Sequence, residues 1–203
     1  MEKKTDLRVI RTKRIIRNTF LQLLEEKDFD EITVRDLTTR ADINRGTFYV
    51  HYKDKNELMW ECQQEIMLGM SEIAKKNLQN ITTDSEDDSG EESQSPAVTI
   101  FEFLNENKVM MKALLGPKGD ITFQSKLRDF LWKALMDDTE HGLVNKDNLL
   151  VPEEYIASYI AFAHIGVIQK WLEKGSKESP REMAHILSTI NFNGPFATIG
   201  IKP

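Results

Sequence analysis

The sequence holds a single cysteine, Cys62, so no disulfide can close within one chain. It contains no run of about 18 apolar residues, the length a membrane-spanning helix needs. Its first residues, Met-Glu-Lys-Lys, lead into a charged, amphipathic stretch, where a secretory signal would require a continuous apolar segment. Together these absences predict a cytoplasmic protein with no membrane partner. Enzyme signatures are missing as well. There is no glycine-rich phosphate loop and no Gly-x-Ser-x-Gly, and neither His-x-x-x-His nor Cys-x-x-Cys occurs. The four histidines (His51, His141, His164 and His185) stand alone. No catalytic residue, metal or cofactor is therefore expected. Cys62 shares an apolar helical stripe with Leu58 and Ile66, which suits a small core residue better than a nucleophile.

What is present is an ordinary soluble composition, 40% hydrophobic and 30% charged over 203 residues, enough to build a sizeable core. The net charge of -6 looks adverse to nucleic-acid binding until it is located. Residues 1–17 carry Lys3, Lys4, Arg8, Arg11, Lys13, Arg14 and Arg17 against Glu2 and Asp6. Residues 82–96 carry Asp84, Glu86, Asp87, Asp88, Glu91 and Glu92 with no basic residue. One acidic segment thus accounts for the overall sign. A DNA phosphate responds to the local field, which is positive at the N-terminal end.

Helical periodicity runs through the chain and no strand pair is evident, so the expected fold is all-α with about nine helices. Ile16, Phe20, Leu23 and Leu24 make one apolar stripe over residues 8–26. Thr33 to Asp36 reads as a capping box opening a short second helix, with Val34, Leu37 and Ala41 on its buried side. A turn at Asp42-Ile43-Asn44 leads to a third short helix over 45–51, with Phe48 and Tyr52 pointing inward. Asp54-Lys55-Asn56-Glu57 then caps a longer helix. Periodicity fades over 77–96, and the acidic, Ser-rich segment 82–96 reads as a disordered loop. It returns over 97–115, 123–136, 152–174 and 180–190. Ser179-Pro180-Arg181-Glu182 forms another capping box. The expected division is a helix-turn-helix domain over 1–58 and a regulatory and dimerisation domain, a helical bundle, over 59–203.

Two short helices joined by a tight turn are the shape that places its second helix in the DNA major groove. The outer residues suit that task. Asn44 and Arg45 stand at the start of the reading helix, where arginine pairs with guanine and asparagine with adenine. Gly46 lets the backbone approach DNA closely. Thr47, Tyr49 and His51 can donate to phosphates, and Tyr49 can also touch a thymine methyl. Lys55 lies at a helix start, where a cation and free N–H groups suit a phosphate. Thr33 and Arg35 complete the candidate set.

The run Gly46-Thr47-Phe48-Tyr49-x-His51-Tyr52-Lys53-Asp54-Lys55-x-Glu57-Leu58, with Ile32-Thr33-Val34 before it, resembles the TetR family of bacterial transcription regulators. The resemblance extends from Ile15 through Leu58. It implies that Thr33, Tyr49, His51 and Lys55 meet the DNA backbone, while Asn44, Arg45 and Thr47 face bases. The rest of the chain is similar to that family's divergent regulatory domain. Phe101 to Leu104, Leu114-Leu115-Gly116, Tyr159 to Phe162, Gly166 and Trp171 resemble a C-terminal type common in Firmicutes.

The resemblance further implies a homodimer on double-stranded DNA, reading a palindrome, and a small-molecule effector bound inside the C-terminal domain. Residues 153–174 are apolar almost all round, as expected of a helix buried on more than one side. Candidate interface residues are Tyr159, Ala163, Gly166, Val167, Ile186 and Ile190, with Ala161 adding to the small side chains that permit close contact. Candidate pocket residues are Phe103, Met110, Met111, Phe130, Trp132, Phe162 and His164. The expected function is a ligand-responsive repressor. An activator of the same fold, and a helical protein–protein adaptor using the acidic loop, are the alternatives.

Overall fold

The computed structural model describes residues 7–83, 95–116, 121–136 and 148–200, without the side chains of 77–83 and 134–136. Among them are ten α-helices, one 3-10 turn and no strand. The fold is all-α. The chain forms two units, Met1–Ile66 and Met67–Pro203.

The first unit begins with α1 (Leu7–Glu26), whose stripe of Ile16, Phe20 and Leu23 is buried together with Thr19. A 3-10 turn at Phe29–Glu31 follows, and Phe29 meets Phe20 edge to face at 6.1 Å. Helix α2 (Val34–Arg40) starts at the expected capping box. The Thr33 hydroxyl accepts from the Asp36 N–H at 3.1 Å, and the Asp36 carboxylate accepts from the Thr33 N–H at 2.9 Å. Leu37 and Thr38 are its buried residues. Val34 and Ala41 are half-buried, because two turns of helix turn one narrow edge inward.

Helix α2 ends with Asp42 in the left-handed region (φ 50). The Ile43 N–H bonds to the Thr38 carbonyl and the Asp42 N–H to that of Thr39, which satisfies the last carbonyls of the helix. Asn44 then caps α3 (Arg45–His51), its Oδ1 accepting from the Gly46 N–H at 2.9 Å. Phe48 and Tyr52 close the core with Ile32, Leu58 and Cys62. Ion pairs from Lys13 to Glu61 (2.8 Å) and from Arg17 to Glu65 (2.7 Å) join α1 to α4 (Lys55–Thr83). Helix α4 runs through Thr83, past the point where apolar periodicity fades. Nothing between Lys75 and Thr83 breaks a helix, since that stretch has neither glycine nor proline. At the other end of the expected acidic loop, Pro96 already sits in the first turn of α5. Residues 84–94 of that loop lie outside the described residues.

The second unit continues with α5 (Pro96–Glu106), α6 (Lys108–Leu115), α7 (Ile121–Met136), α8 (Glu153–Glu173), α9 (Pro180–Asn193) and the short α10 (Pro195–Thr198). The periodic stretch 97–115 is two helices. Asn107 breaks it at φ -103, ψ 18, and its side-chain amide donates to the Phe103 carbonyl at 2.9 Å. Helix α5 packs on α9, and α6 and α7 pack on α8.

Phe101 of α5 and Trp171 of α8 meet edge to face at 5.5 Å in the core, with Leu104, Met110, Met111, Leu114, Leu115, Phe123 and Leu127 also buried. The Gln169 amide reaches the Leu115 carbonyl at 2.6 Å and satisfies the end of α6. A Cβ on Gly69 would lie 2.5 Å from the Phe103 ring, so α4 and α5 touch here through a bare backbone. The Trp171 indole N–H donates to the Glu178 carbonyl at 2.9 Å and ties the α8–α9 turn to the core. Replacing it, Trp171→Phe, keeps the ring contact but strands that carbonyl. Urea unfolding should show a loss of about 1–3 kcal/mol.

Candidate nucleic-acid interface

Phe48 is fully buried and fixes the rotation of α3. The side chains that then face outward are Arg45, Tyr49 (47% exposed) and Val50 (79%), beside the bare Gly46. Thr47 and His51 are half-buried along one flank. The Arg45 guanidinium donates to the Tyr49 hydroxyl at 3.1 Å and lies 5.6 Å from that ring's centroid. The two side chains, four residues apart, hold one another along the outer face of the helix.

Three of the expected contact residues carry structural tasks, of which motif spacing announces only the cap at Thr33. Asn44 is the cap of α3. The Thr33 hydroxyl both accepts from the Asp36 N–H and donates to the Asp36 carboxylate at 2.8 Å, so its proton is already engaged. The Lys55 ammonium donates to the Phe29 and Asp30 carbonyls at 2.8 and 3.0 Å and sits 4.6 Å from the Phe29 ring centroid. Two of its three donors are used within the unit. Arg35 is exposed on α2.

The charges of the N-terminal segment are likewise divided. Lys13 and Arg17 pair with α4, and Lys13 also lies 5.2 Å from the Tyr52 ring centroid. Arg11 and Arg14 are exposed, and Lys3 and Lys4 lie outside the described residues. Lys27 holds the Asp36 carboxyl well below the usual carboxylate range, assisted by the bonds from Thr33. Burial pushes the Cys62 thiol up to about 12, the condition of an inert core cysteine.

Residues 16–62 match the family described as bacterial regulatory proteins, tetR family, and residues 91–193 match a transcriptional regulator C-terminal region. The chain belongs to the TetR family. It is a DNA-binding transcription regulator of that fold. An HTH-type transcriptional regulator of Bacillus subtilis, YxbF, is 46% identical over 59 residues, which span 29% of this chain and 16% of that protein. A TetR regulator structure from Streptococcus agalactiae is 22% identical with a TM-score of 0.64, covering 91% of this chain and 96% of that one. A TetR-family structure from Syntrophomonas wolfei is 18% identical with a TM-score of 0.68, covering 95% and 97%.

In the C-terminal part of this TetR chain the candidate pocket residues separate. Met110 and Met111 are core residues, and Phe103, Phe130 and Trp132 are half-buried. The Trp132 indole donates to Glu153 at 3.1 Å. His164 is half-buried against Asn191 at 3.2 Å, and burial lowers its pKa against the opposing effect of that bond. Phe162 is 51% exposed and stands on the outer face of α8 with Tyr155 and Tyr159 rather than among the buried side chains. Gly166 and Ile186 are exposed, while Ala163, Val167 and Ile190 are half-buried. Ala161 is buried in its own bundle. No helix among the described residues is long and apolar enough to cross a membrane.

Two outcomes test this geometry. Lys55→Met keeps the aliphatic stem but removes both bonds to the 3-10 turn, and should lower stability by about 1–2 kcal/mol in urea unfolding. Asp36 titrates below its ordinary value in the folded chain. Its contribution is therefore complete above the usual carboxylate range and is lost as the pH falls below it. Asp36→Asn should accordingly flatten the decline in stability between about pH 5 and pH 2, followed by circular dichroism.

Proposed function

We propose that the protein binds a palindromic operator as a homodimer and represses the adjacent promoter until a small molecule releases it. The observation that carries the DNA-reading part is the outward face of α3, where Tyr49 holds the Arg45 guanidinium in place at the start of the helix. In this reading Arg45 pairs with a guanine edge, and the exposed amide of Asn44 and the hydroxyl of Thr47 meet neighbouring bases. Tyr49, His51, Arg35 and the remaining donor of Lys55 position the unit on phosphates, with Thr33 contributing by fixing the start of α2. The bare Gly46 admits the DNA edge.

Dimer formation is supported by the aromatic face that α8 leaves uncovered. Tyr155, Tyr159 and Phe162 are each more than half exposed, and Ile186 of α9 is exposed too. Such a face is costly for a monomer and suits a two-fold pairing of α8 and α9 with a second copy. Effector release requires a ligand that favours one conformation of the regulatory unit over the other. The half-buried Phe103, Phe130, Trp132 and His164 are its proposed surroundings, with Met110 and Met111 behind them.

Mapping bound fragments across the genome identifies the operator, and a reporter read with and without the gene gives the sign of regulation. On that operator Arg45→Ala should weaken specific binding by about 1–3 kcal/mol while leaving non-specific binding nearly unchanged. Equal affinity of Arg45→Ala and the unaltered protein would remove base reading by this residue.

A further inference from the structure

On the 100° spacing of an α-helix, the point opposite the buried Phe48 falls between Gly46 and Val50, within about 20° of each. These two residues, one turn apart, are therefore the outermost ridge of α3. Val50 is 79% exposed, more than any other residue of α3 among the exposed large apolar side chains. A valine there is left largely unpacked among the described residues and has no donor to offer a phosphate.

Gly46 is equally unexplained by the fold. It has no positive φ, and a Cβ added to it would meet only the Asn44 Oδ1, at the ordinary contact distance of 3.6 Å. A glycine inside a helix costs roughly 0.5–1 kcal/mol against alanine. Neither residue is accounted for by a contact among the described residues. Gly46 and Val50 share one ridge of α3, and no Val50 side-chain atom lies within 4 Å of a Cβ built at Gly46, so the ridge stays open between them. The result is a bare, apolar strip on the outward face of α3, flanked by the Arg45–Tyr49 pair on one side and by Thr47 and His51 on the other.

The major-groove edges of the four base pairs offer donors, acceptors and one apolar group, the C5-methyl of thymine. We infer that Gly46 and Val50 together form a thymine-methyl site, which makes Val50 a specificity-determining residue of the operator contact. The inference rests on the DNA-reading role of α3 and adds to it the identity of a base. Val50 specifies thymine through its methyl group, next to a position read by Arg45.

The test is a cycle on the full-length protein and a natural operator fragment. Each thymine is replaced in turn by uracil, which keeps every hydrogen-bonding group and removes only the methyl. Affinity is measured by fluorescence anisotropy for the unaltered protein and for Val50→Ala, with circular dichroism as the folding control. Burial of one methyl predicts that uracil at one position per half-site weakens the unaltered protein about fourfold for each engaged copy. The same uracil should leave Val50→Ala unchanged, since that variant has already lost the contact.

Val50→Thr, which keeps the shape and adds a hydroxyl, should weaken binding to thymine and blunt the preference for it over uracil. If every uracil substitution acts alike on the unaltered protein and on Val50→Ala, the thymine assignment is wrong while DNA reading by α3 stands. If the unaltered protein shows no sequence-specific binding at all, the DNA-reading role fails and this site falls with it.

Discussion

A helix of seven residues lies well below the length, about 12–15 residues, at which helices hold themselves in water. Helix α3 exists because Phe48 is fully buried beside Tyr52, with the two rings 5.7 Å apart, and because Asn44 satisfies its first turn. That burial determines which residues of α3 look outward. Had Tyr49 taken the buried place of Phe48, Arg45 and Tyr49 would lose their place on the surface and Val50 its place on the ridge. The rest of the first unit serves the same end. Phe20 and Phe29 support the core from α1 and the 3-10 turn, and Lys55 draws the start of α4 onto that turn. Reading chemistry therefore sits on an element with no stability of its own, oriented by packing.

Charge follows a similar division of labour. The chain is acidic overall, yet the unit that meets DNA opens with a basic helix. Part of that basicity is internal: Lys13 and Arg17 fasten α1 to α4. These pairs are partly exposed, and their worth is closer to alignment than to bulk stability. The basic side chains left outward, such as Arg11 and Arg14, are fewer than the sequence count suggests.

Much of this was legible in the sequence because the signals are local. Capping boxes at Thr33–Asp36 and Ser179–Glu182 depend on residues three apart, and both form. Phe48 and Tyr52 are four apart on a short helix, which leaves them one way to face. What escaped the sequence depends on geometry at longer range or on competition for a single atom. Asn107 reads equally well as a polar position within one helix, and the break appears once its amide bonds the Phe103 carbonyl. Periodicity over α8 shows that several faces are apolar but not which is covered by its own bundle, which proves to bury Ala161 and leave Phe162 exposed. The capping duty of Asn44 and the grip of Lys55 on two carbonyls concern individual protons and lone pairs. Residue type alone does not allocate them. Val50 is hidden by a different effect: a motif draws the eye to polar residues, and only the helical rotation set by Phe48 turns attention to the ridge between them.

The bare turn at Gly46 sets thermal robustness against recognition. With room for a Cβ and no unusual φ, alanine at this position would favour the helix. A selection for heat resistance, blind to promoter control, would fill the gap. The protein it returned would be sturdier and, if Gly46 meets a base edge as proposed, a poorer reader of DNA.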